Sequence, residues 1–425
     1  MIRPPASRAA FPWLVVVGVL VAALSLRGPI VAPTPVLRDI ETDLGIGAST
    51  AGLLTTAPVL MFALLTPVAA IVIRRAGAEI ALLVTLLGVL VGTAIRALPG
   101  FPSMLVGMIV IGAAITIGNV VIPVVIRRDV PPERVGIVTA SYAATLNVGS
   151  LITSLLTAPL AEVVGWNLAL VAWSVLSFAG VAVWGAHLRR ERRRAAHPVP
   201  IVRSEPRPHR TDLDPETITG PLPIVAPASS SVFLRPASWL LLIAFALQVT
   251  IYYALSTWLP TLGADRLGLD SATAGALASI FQGVGVLGSF VVPLLARVAP
   301  RIVPTLVISA SWLLLTGGML AAPELTWLWL SFGAIAHSGG FVAIFSALVS
   351  VARTDAEATT MSALVQGGGY GIGAFGAPIA GALHEATGGW DVALWGMLGL
   401  AVLYAVALTS AMAVAARSKA DPSPH

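Results

Sequence analysis

The sequence predicts an all-α membrane protein in which twelve transmembrane helices form two six-helix bundles. Composition is the first observation: 57% of the 425 residues are hydrophobic and only 11% are charged. Soluble domains are about 45–50% apolar and about a quarter charged, which argues against a soluble enzyme. Spacing is the second: twelve apolar stretches are long enough to cross a bilayer, which takes roughly 20 helical residues. The chain has no cysteine, which excludes disulfides, a thiolate nucleophile and a Cys-ligated metal.

Six of the apolar stretches lie in residues 1–187 and predict the first bundle. Arg3 and Arg8 precede the first stretch as in a signal sequence, but the apolar run continues past Pro29 with no clear cleavage site, so we predict a retained span. Backbone amides cannot stay unpaired in lipid, so each stretch is predicted to be helical despite internal Pro and Gly. The predicted spans are 12–37, 48–73, 78–97, 101–127, 134–159 and 165–187.

Residues 188–236 separate the two halves of the chain. They begin with an arginine-rich run at 189–194 and continue rich in Pro, Ser and acidic residues, which predicts a flexible cytoplasmic linker. We favour a topogenic role for the arginine run over binding to anionic lipid headgroups. The second bundle is predicted at 237–415, with a cytoplasmic tail at 416–425. Its spans are 237–261, 271–297, 302–321, 325–350, 359–383 and 389–415.

The two halves are related by an internal repeat. A shift of 223 residues places Gly52 on Gly275, and a shift of 219 residues places Pro159 on Pro378. Parallel repeats of six helices are the layout of one large class of secondary transporters. The repeat, the twelve spans and the linker therefore together favour a transporter.

The charges predict an orientation with both termini in the cytoplasm. In that orientation all but four of the 25 Lys and Arg residues lie on the cytoplasmic side. The exceptions are Arg38, Arg96 and Arg266 at the outer side and Arg27 within the membrane. This positive-inside pattern predicts a multi-pass protein of the plasma membrane. It also accounts for the sequence pI of about 10.2 without a nucleic-acid partner.

Several segments outside the linker carry a family resemblance. They are Ser25–Arg27 in span one, Ala51–Pro58 in span two, Pro132–Gly136 before span five, Gln366–Pro378 in span eleven and Gly388–Trp390 before span twelve. These segments resemble the major facilitator superfamily and, within it, the cyanate and nitroimidazole transporter family. The superfamily's charged loop after span two is degraded here, because residues 74–79 lack its usual aspartate. The resemblance implies alternating-access transport of a small anion or small polar molecule.

Arg27 is the charged residue that the sequence places deepest in the membrane. None of the 20 Asp and Glu residues lies deep in a predicted span. A charge in a bilayer is costly, and arginine stays protonated at physiological pH. We favour an anion site, in which the solute supplies the counter-charge, over a helix brace near Pro29.

His337 lies in the middle of span ten beside Ser338, Gly339 and Gly340. Histidine changes charge near neutral pH, which suits a residue that carries a coupled proton. A neutral histidine, hydrogen-bonded across helices, explains the same position. Both interpretations stay open.

Uncharged polar residues, among them Asn147, mark the centres of other spans. Gln248 and Tyr252, and likewise Gln366 and Tyr370, are spaced i, i+4, so each pair shares one helical face. The resemblance implies that spans one, four, seven and ten line a central cavity and that two, five, eight and eleven form gates. Hydrogen bonding between helices is the alternative role. The predicted substrate-binding residues are Arg27, Asn119, Gln248, Tyr252, Gln282, His337, Gln366 and Tyr370.

Charged residues on the cytoplasmic side of the first bundle form a predicted gate. They are Arg74, Arg75, Asp129 and Arg134, which can form salt bridges between the loops after spans two and four. A solvated positive-inside loop explains the same residues, because exposed ion pairs contribute only about 0–1 kcal/mol.

The function that the sequence favours is secondary transport of a small anionic or polar solute by a monomer in the lipid bilayer, with protons as a candidate coupling ion. A drug-efflux transporter with a broad apolar cavity is the alternative within transport. A membrane-embedded enzyme is disfavoured, because the predicted spans hold no paired carboxylates and no clustered histidines. A receptor would be expected to carry a folded signalling domain. We predict no metal and no cofactor.

Overall fold

The structure is a computed structural model and describes residues 12–196, 230–300, 302–352 and 355–420. Within these ranges all the regular structure is helical. Eleven helical stretches are long and apolar enough to cross a membrane, and they correspond to predicted spans one to ten and twelve. The predicted all-α membrane fold is confirmed.

Residues 12–196 form eight helices that pack mainly on one another. Predicted span one does not end at residue 37. Its first helix ends at Val31, and a short 3-10 turn at Thr34–Val36 leads into a second helix. The helices are α1 (Trp13–Val31), α2 (Leu37–Leu44), α3 (Ala48–Ala76), α4 (Ala78–Arg96), α5 (Phe101–Asp129), α6 (Pro132–Val164), α7 (Trp166–Ala172) and α8 (Ser174–Ala196).

The described residues after 229 form a second group of helices. Asp270 caps the helix that follows it, because its carboxylate accepts hydrogen bonds from the hydroxyl and the backbone N–H of Thr273, at 2.7 and 2.9 Å. These bonds lower the pKa of the Asp270 carboxyl below its ordinary value. The helices are α9 (Pro236–Leu267), α10 (Ser271–Val298), α11 (Ile302–Ala321), α12 (Thr326–Val351), α13 (Asp355–Gly373), α14 (Gly376–Thr387) and α15 (Asp391–Ala420).

Predicted span eleven is two helices rather than one. The chain leaves the helix at Ala374 and Phe375, between α13 and α14. The preceding run is rich in glycine, which has a low helix propensity. The Thr56 hydroxyl of α3 donates to the Ala374 carbonyl oxygen at 2.7 Å, so one backbone group at the break finds a partner in the other half of the chain.

Two helices extend past the predicted domain boundaries. α8 continues to Ala196, beyond the boundary at 187, and α15 continues to Ala420, beyond the boundary at 415. Arg, Glu and Ala dominate the extension of α8, and all three favour helix. The predicted linker therefore begins as helix, and its residues 197–229 lie outside the described part of the chain.

The two groups of helices meet along a seam at one end of the molecule. The Thr257 hydroxyl donates to the Thr55 hydroxyl at 2.8 Å, and Arg38 forms an ion pair with Asp265. Gly52 lies so close to the main chain of Pro378 that a side chain there would overlap it. We call this end, which carries Arg38 and Asp265, the Arg38 end. The opposite end, which carries Arg75 and Arg128, is the Arg128 end.

Candidate functional site

Arg27 lies near the C-terminal end of α1 and is half-buried. Its Nη1 donates to Oδ1 of Asn147 on α6 at 3.3 Å, and no described carboxylate forms an ion pair with it. Four tyrosines interact with it electrostatically: Tyr142, Tyr252, Tyr253 and Tyr370. Because three of these tyrosines belong to the second group of helices, Arg27 faces the space between the two halves.

Close packing of α1 on α6 positions Arg27 beside Asn147. A side chain at Gly149 would overlap the Leu24 carbonyl oxygen, so the two helix backbones approach each other there. Gly28 lies against the Thr153 side chain of α6, where an added Cβ would come within 2.9 Å of the Thr153 hydroxyl oxygen. The small residues therefore determine which α6 side chain the guanidinium meets.

Tyr252 joins three helices of the second half at this site. Its ring stacks on the imidazole of His337 from α12, with ring centroids 3.7 Å apart and planes inclined by 10°. Its hydroxyl lies 3.3 and 3.4 Å from the amide nitrogen and oxygen of Gln282 on α10. His337 also interacts electrostatically with Arg27. The structure thus brings together the predicted residues Arg27, Tyr252, Gln282, His337 and Tyr370.

Aromatic rings extend the site beyond Tyr370. Phe62 of α3 meets the Tyr370 ring edge to face at 6.0 Å, and Phe245 of α9 does so at 5.2 Å. Phe341 and Phe345 of α12 lie 4.4 Å apart and both contact Phe245. One side of the site is therefore an apolar aromatic wall.

The side chains of Gln248 and Gln366 form hydrogen bonds with groups other than Arg27. Gln248 is fully buried, and its Nε2 donates to the main-chain oxygen of His337 at 3.2 Å, as in an interhelical tie. Gln366 donates to Ser362 of its own helix at 2.9 Å. Asn119 is half-buried on α5, and its side chain makes no hydrogen bond within the described part of the chain. Their roles in binding stay predictions.

At the Arg128 end, Asp129 of the predicted gate pairs with Arg128, which the predicted gate did not include. The Arg128 guanidinium donates to both Asp129 oxygens at 2.7 and 2.8 Å and lies 2.5 Å from Glu79. Arg75 and Arg134 are exposed, and the side chain of Arg74 lies outside the described residues. The bonds described for Arg128 join it to Glu79 and Asp129, both in the first half of the chain.

Arg96 is a second arginine of the first half that is buried in the protein, at the C-terminal end of α4. It is only 3% exposed, and it donates to the carbonyl oxygens of Pro29 at 2.7 Å and Leu170 at 3.1 Å. Met108 Sδ lies 3.5 Å away. Its flanking residues are apolar like those of Arg27, and the sequence distinguished the two only by depth, because Arg96 lies at the end of predicted span three and Arg27 within predicted span one.

Tyr142 and Tyr253 are the other site residues that sequence reasoning missed. The chain has only 5 tyrosines, and four of them surround Arg27. The concentration of a rare residue type in the spans was the signal that could have found them.

Two packed groups of membrane-crossing helices with a polar site between them are the layout of one large class of membrane transporters. The sequence matches the family model of the Major Facilitator Superfamily over residues 15–374. The chain belongs to this superfamily, so it is a transporter and not an enzyme. The predicted resemblance is confirmed.

Two curated transporters are similar to the chain. It is 28% identical over 403 residues to the 2-nitroimidazole transporter of Escherichia coli (strain K12), a match that covers 92% of this chain and 94% of that one. It is 28% identical over 386 residues to the transporter YycB of Bacillus subtilis (strain 168), which covers 89% and 88%.

Solved transporter structures share the fold at low identity. A bacterial homologue of the human lysosomal transporter Spinster, in an inward-facing and unoccupied conformation, matches with a TM-score of 0.71 at 14% identity, over 98% of this chain and 100% of that one. A D-xylose–proton symporter matches with a TM-score of 0.70 at 11% identity, over 94% and 97%.

Proposed function

We propose that this chain is a secondary transporter of a small anionic or polar solute, and that Arg27 binds the solute's negative charge. The observation that carries the proposal is the position of Arg27, which faces both halves of the molecule and pairs with no described carboxylate. Charges removed from water are normally paired. A mobile anion is the partner that completes this site.

The groups around Arg27 suit a compact anion. A guanidinium carries five N–H donors in a planar fork, and Asn147 accepts from one of its terminal nitrogens. The remaining guanidinium donors offer hydrogen bonds to an oxygen-rich anion, and the phenols of Tyr253 and Tyr370 are close enough to interact with Arg27 electrostatically. Cyanate, nitrate and small monocarboxylates have this chemistry.

The aromatic wall favours a planar solute among these. Phe62 and Tyr370 are half-buried and lie next to each other, so a flat ring can pack on them while its polar atoms reach Arg27. The E. coli relative is named for 2-nitroimidazole, which combines a planar ring with a polar nitro group. Broad drug efflux, which needs no fixed charge, remains the alternative that the experiment below separates.

The closed Arg38 end supports transport by alternating access. The Glu385 carboxylate accepts from the backbone N–H of Ser49 at 3.2 Å across the seam, near the Arg38–Asp265 pair. We place both termini in the cytoplasm of the plasma membrane, because of the positive-inside pattern. The Arg38 end is then the outer end, and the solute reaches Arg27 from the cytoplasm. Rocking of the two halves about the site would close this cytoplasmic access and open access from the outside. A monomer contains all the groups required.

The test is a binding titration on purified Arg27→Gln, Arg27→Lys and parent protein with cyanate, nitrate, acetate and 2-nitroimidazole. Arg27→Gln removes the charge, so affinity should fall about 100-fold, equivalent to about 2.8 kcal/mol. Arg27→Lys should fall about 10-fold, because an ammonium lacks the planar fork. Arg297→Gln, which removes an exposed arginine elsewhere, is the matched control and should bind like the parent.

Three results would overturn the proposal. Arg27→Gln could bind these solutes like the parent, or it could fail to fold, which would make Arg27 a helix brace. Large apolar compounds could bind the parent and Arg27→Gln equally while the small anions bind neither, which would favour drug efflux. Uptake of the bound solute into proteoliposomes completes the test of transport.

A further inference from the structure

The described groups that interact with Arg27 have no negative charge. They come from four helices and comprise one amide, four phenols and one imidazole. The site therefore keeps the full positive charge of the guanidinium. The groups are Asn147 and Tyr142 on α6, Tyr252 and Tyr253 on α9, Tyr370 on α13 and His337 on α12.

Asn147 differs from the other groups because it bonds the guanidinium directly. Its Oδ1 accepts from Arg27 Nη1 at 3.3 Å, and the close packing of Gly149 on Leu24 fixes the distance between the two helices. This bond restricts the rotation of a long, flexible side chain. The amide is neutral, so it orients the guanidinium without compensating its charge.

We propose that Asn147 is a specificity-determining residue that orients Arg27 while leaving its charge free for an anionic solute. This inference rests on the proposed function of Arg27. It follows from the geometry, because the position of Oδ1 is where a carboxylate would form a fixed ion pair. An aspartate has nearly the same shape as asparagine and would replace the amide nitrogen by a second, charged oxygen. The added carboxylate would then neutralise Arg27 and repel the negative charge of the solute.

The decisive variant is Asn147→Asp. A charge-assisted bond to Arg27 is stronger than the present neutral one, so the variant should melt at the same temperature as the parent or higher. Its affinity for the anion that the parent binds should nevertheless fall about 30-fold or more, because the added carboxylate repels that anion. Asn147→Ala removes orientation and keeps the charge, so its affinity should fall only about threefold to tenfold.

Asn167→Asp is the matched control. Asn167 lies in the first turn of α7 and is not among the described groups that interact with Arg27, and its Nδ2 donates to the Ala97 carbonyl oxygen at 3.3 Å. The chemical change is the same and occurs in the same half of the chain. This variant should bind anions like the parent.

The order of the effects separates this role from a purely structural one. A structural asparagine would make Asn147→Ala at least as damaging to binding as Asn147→Asp, and that order would overturn the inference.

If Asn147→Asp fails to fold, Asn147→Ala decides the question. Loss of all binding in a folded Asn147→Ala protein would overturn the inference, and a loss of affinity within tenfold would support it. If Arg27→Gln abolishes binding while Asn147→Asp binds normally, the inference fails and the proposed function stands. If Arg27→Gln binds normally, the proposed function itself fails.

Discussion

Arg27 and Arg96 are two arginines of the same half of the molecule, both in membrane-crossing helices and both flanked by apolar residues. They differ in their partners. Arg96 is 3% exposed and donates to two main-chain oxygens, those of Pro29 and Leu170. Arg27 is half-buried and has one described hydrogen bond, to Asn147 at 3.3 Å.

The partners of Arg96 explain what it does. Pro29 lies in the last turn of α1 and Leu170 in the last turn of α7, where carbonyl groups have no intrahelical partner. A cation near helix C-termini also interacts favourably with the helix dipole. Arg96 therefore joins two helix ends, and its charge is compensated by the fold itself. Arg27 has one described hydrogen bond and no described carboxylate partner, and this difference makes Arg27, rather than Arg96, the candidate for binding a solute.

The largest effect that we expect concerns stability. Arg96→Gln leaves at least one of the two carbonyl groups without a donor, which should cost about 2–4 kcal/mol of unfolding free energy. Arg27→Gln should melt at or above the temperature of the parent. Thermal melting of both variants in detergent, beside Arg297→Gln, measures the difference. Equal melting temperatures for Arg96→Gln and Arg297→Gln would contradict the role of Arg96.

The next effect is stabilisation by ligand. A solute that binds the folded form at 100 times its Kd should stabilise the parent by about 2.7 kcal/mol. Arg96→Lys, which keeps a charge that can bond one carbonyl, should melt lower than the parent yet show the same ligand-induced shift. Arg27→Gln should show none. A shift that disappears in Arg96→Lys but persists in Arg27→Gln would reverse the two assignments.

The membrane fold was predictable because hydropathy and length act locally along the chain. The twelve spans follow from apolar runs that must be helical in lipid. The break at Ala374 was not predicted, because glycine-rich runs also occur in continuous membrane helices, and the Thr56 hydroxyl that bonds the Ala374 carbonyl comes from the other half of the chain. The extension of α8 to Ala196 was missed because a charged segment was interpreted as linker although its residues favour helix.

The site was only partly predictable from sequence. The cost of charge in lipid identified Arg27, because that cost depends on depth in the membrane. Depth did not single out Arg96, which lies at the end of α4, and the sequence could not predict its burial, because its carbonyl partners come from helices far apart in sequence. Helical spacing placed Gln248 and Tyr252 on one face, and both side chains contact His337. Spacing did not predict how they differ: Gln248 donates to the His337 main-chain oxygen, and the Tyr252 ring stacks on the His337 imidazole.

A smaller effect tests whether the charge of Arg27 is coupled to a proton on His337. The two side chains interact electrostatically, so a second positive charge beside Arg27 is unfavourable until an anion arrives. If one proton moves with each solute, a pH gradient of one unit supports about tenfold accumulation, or about 1.4 kcal/mol. His337→Gln should keep solute exchange and lose this accumulation in proteoliposomes. Unchanged accumulation would leave His337 as a structural partner of Tyr252.

The smallest effect that we expect comes from single hydroxyl groups. Tyr370→Phe removes a hydroxyl that interacts with Arg27 and keeps the ring on the aromatic wall, so solute affinity should fall about threefold to fivefold, within the range of one hydrogen bond. Tyr404→Phe is the matched control: its hydroxyl is buried, its ring contacts Trp312, and it is not among the tyrosines that interact with Arg27, so its removal should leave affinity unchanged. Isothermal titration of both variants with the same anion measures the difference. If both lose affinity equally, the effect is general packing and Tyr370 has no part in binding. A selective loss in Tyr370→Phe extends the contrast between the two arginines, because it shows that the donors around Arg27 are directed at the solute rather than at the fold.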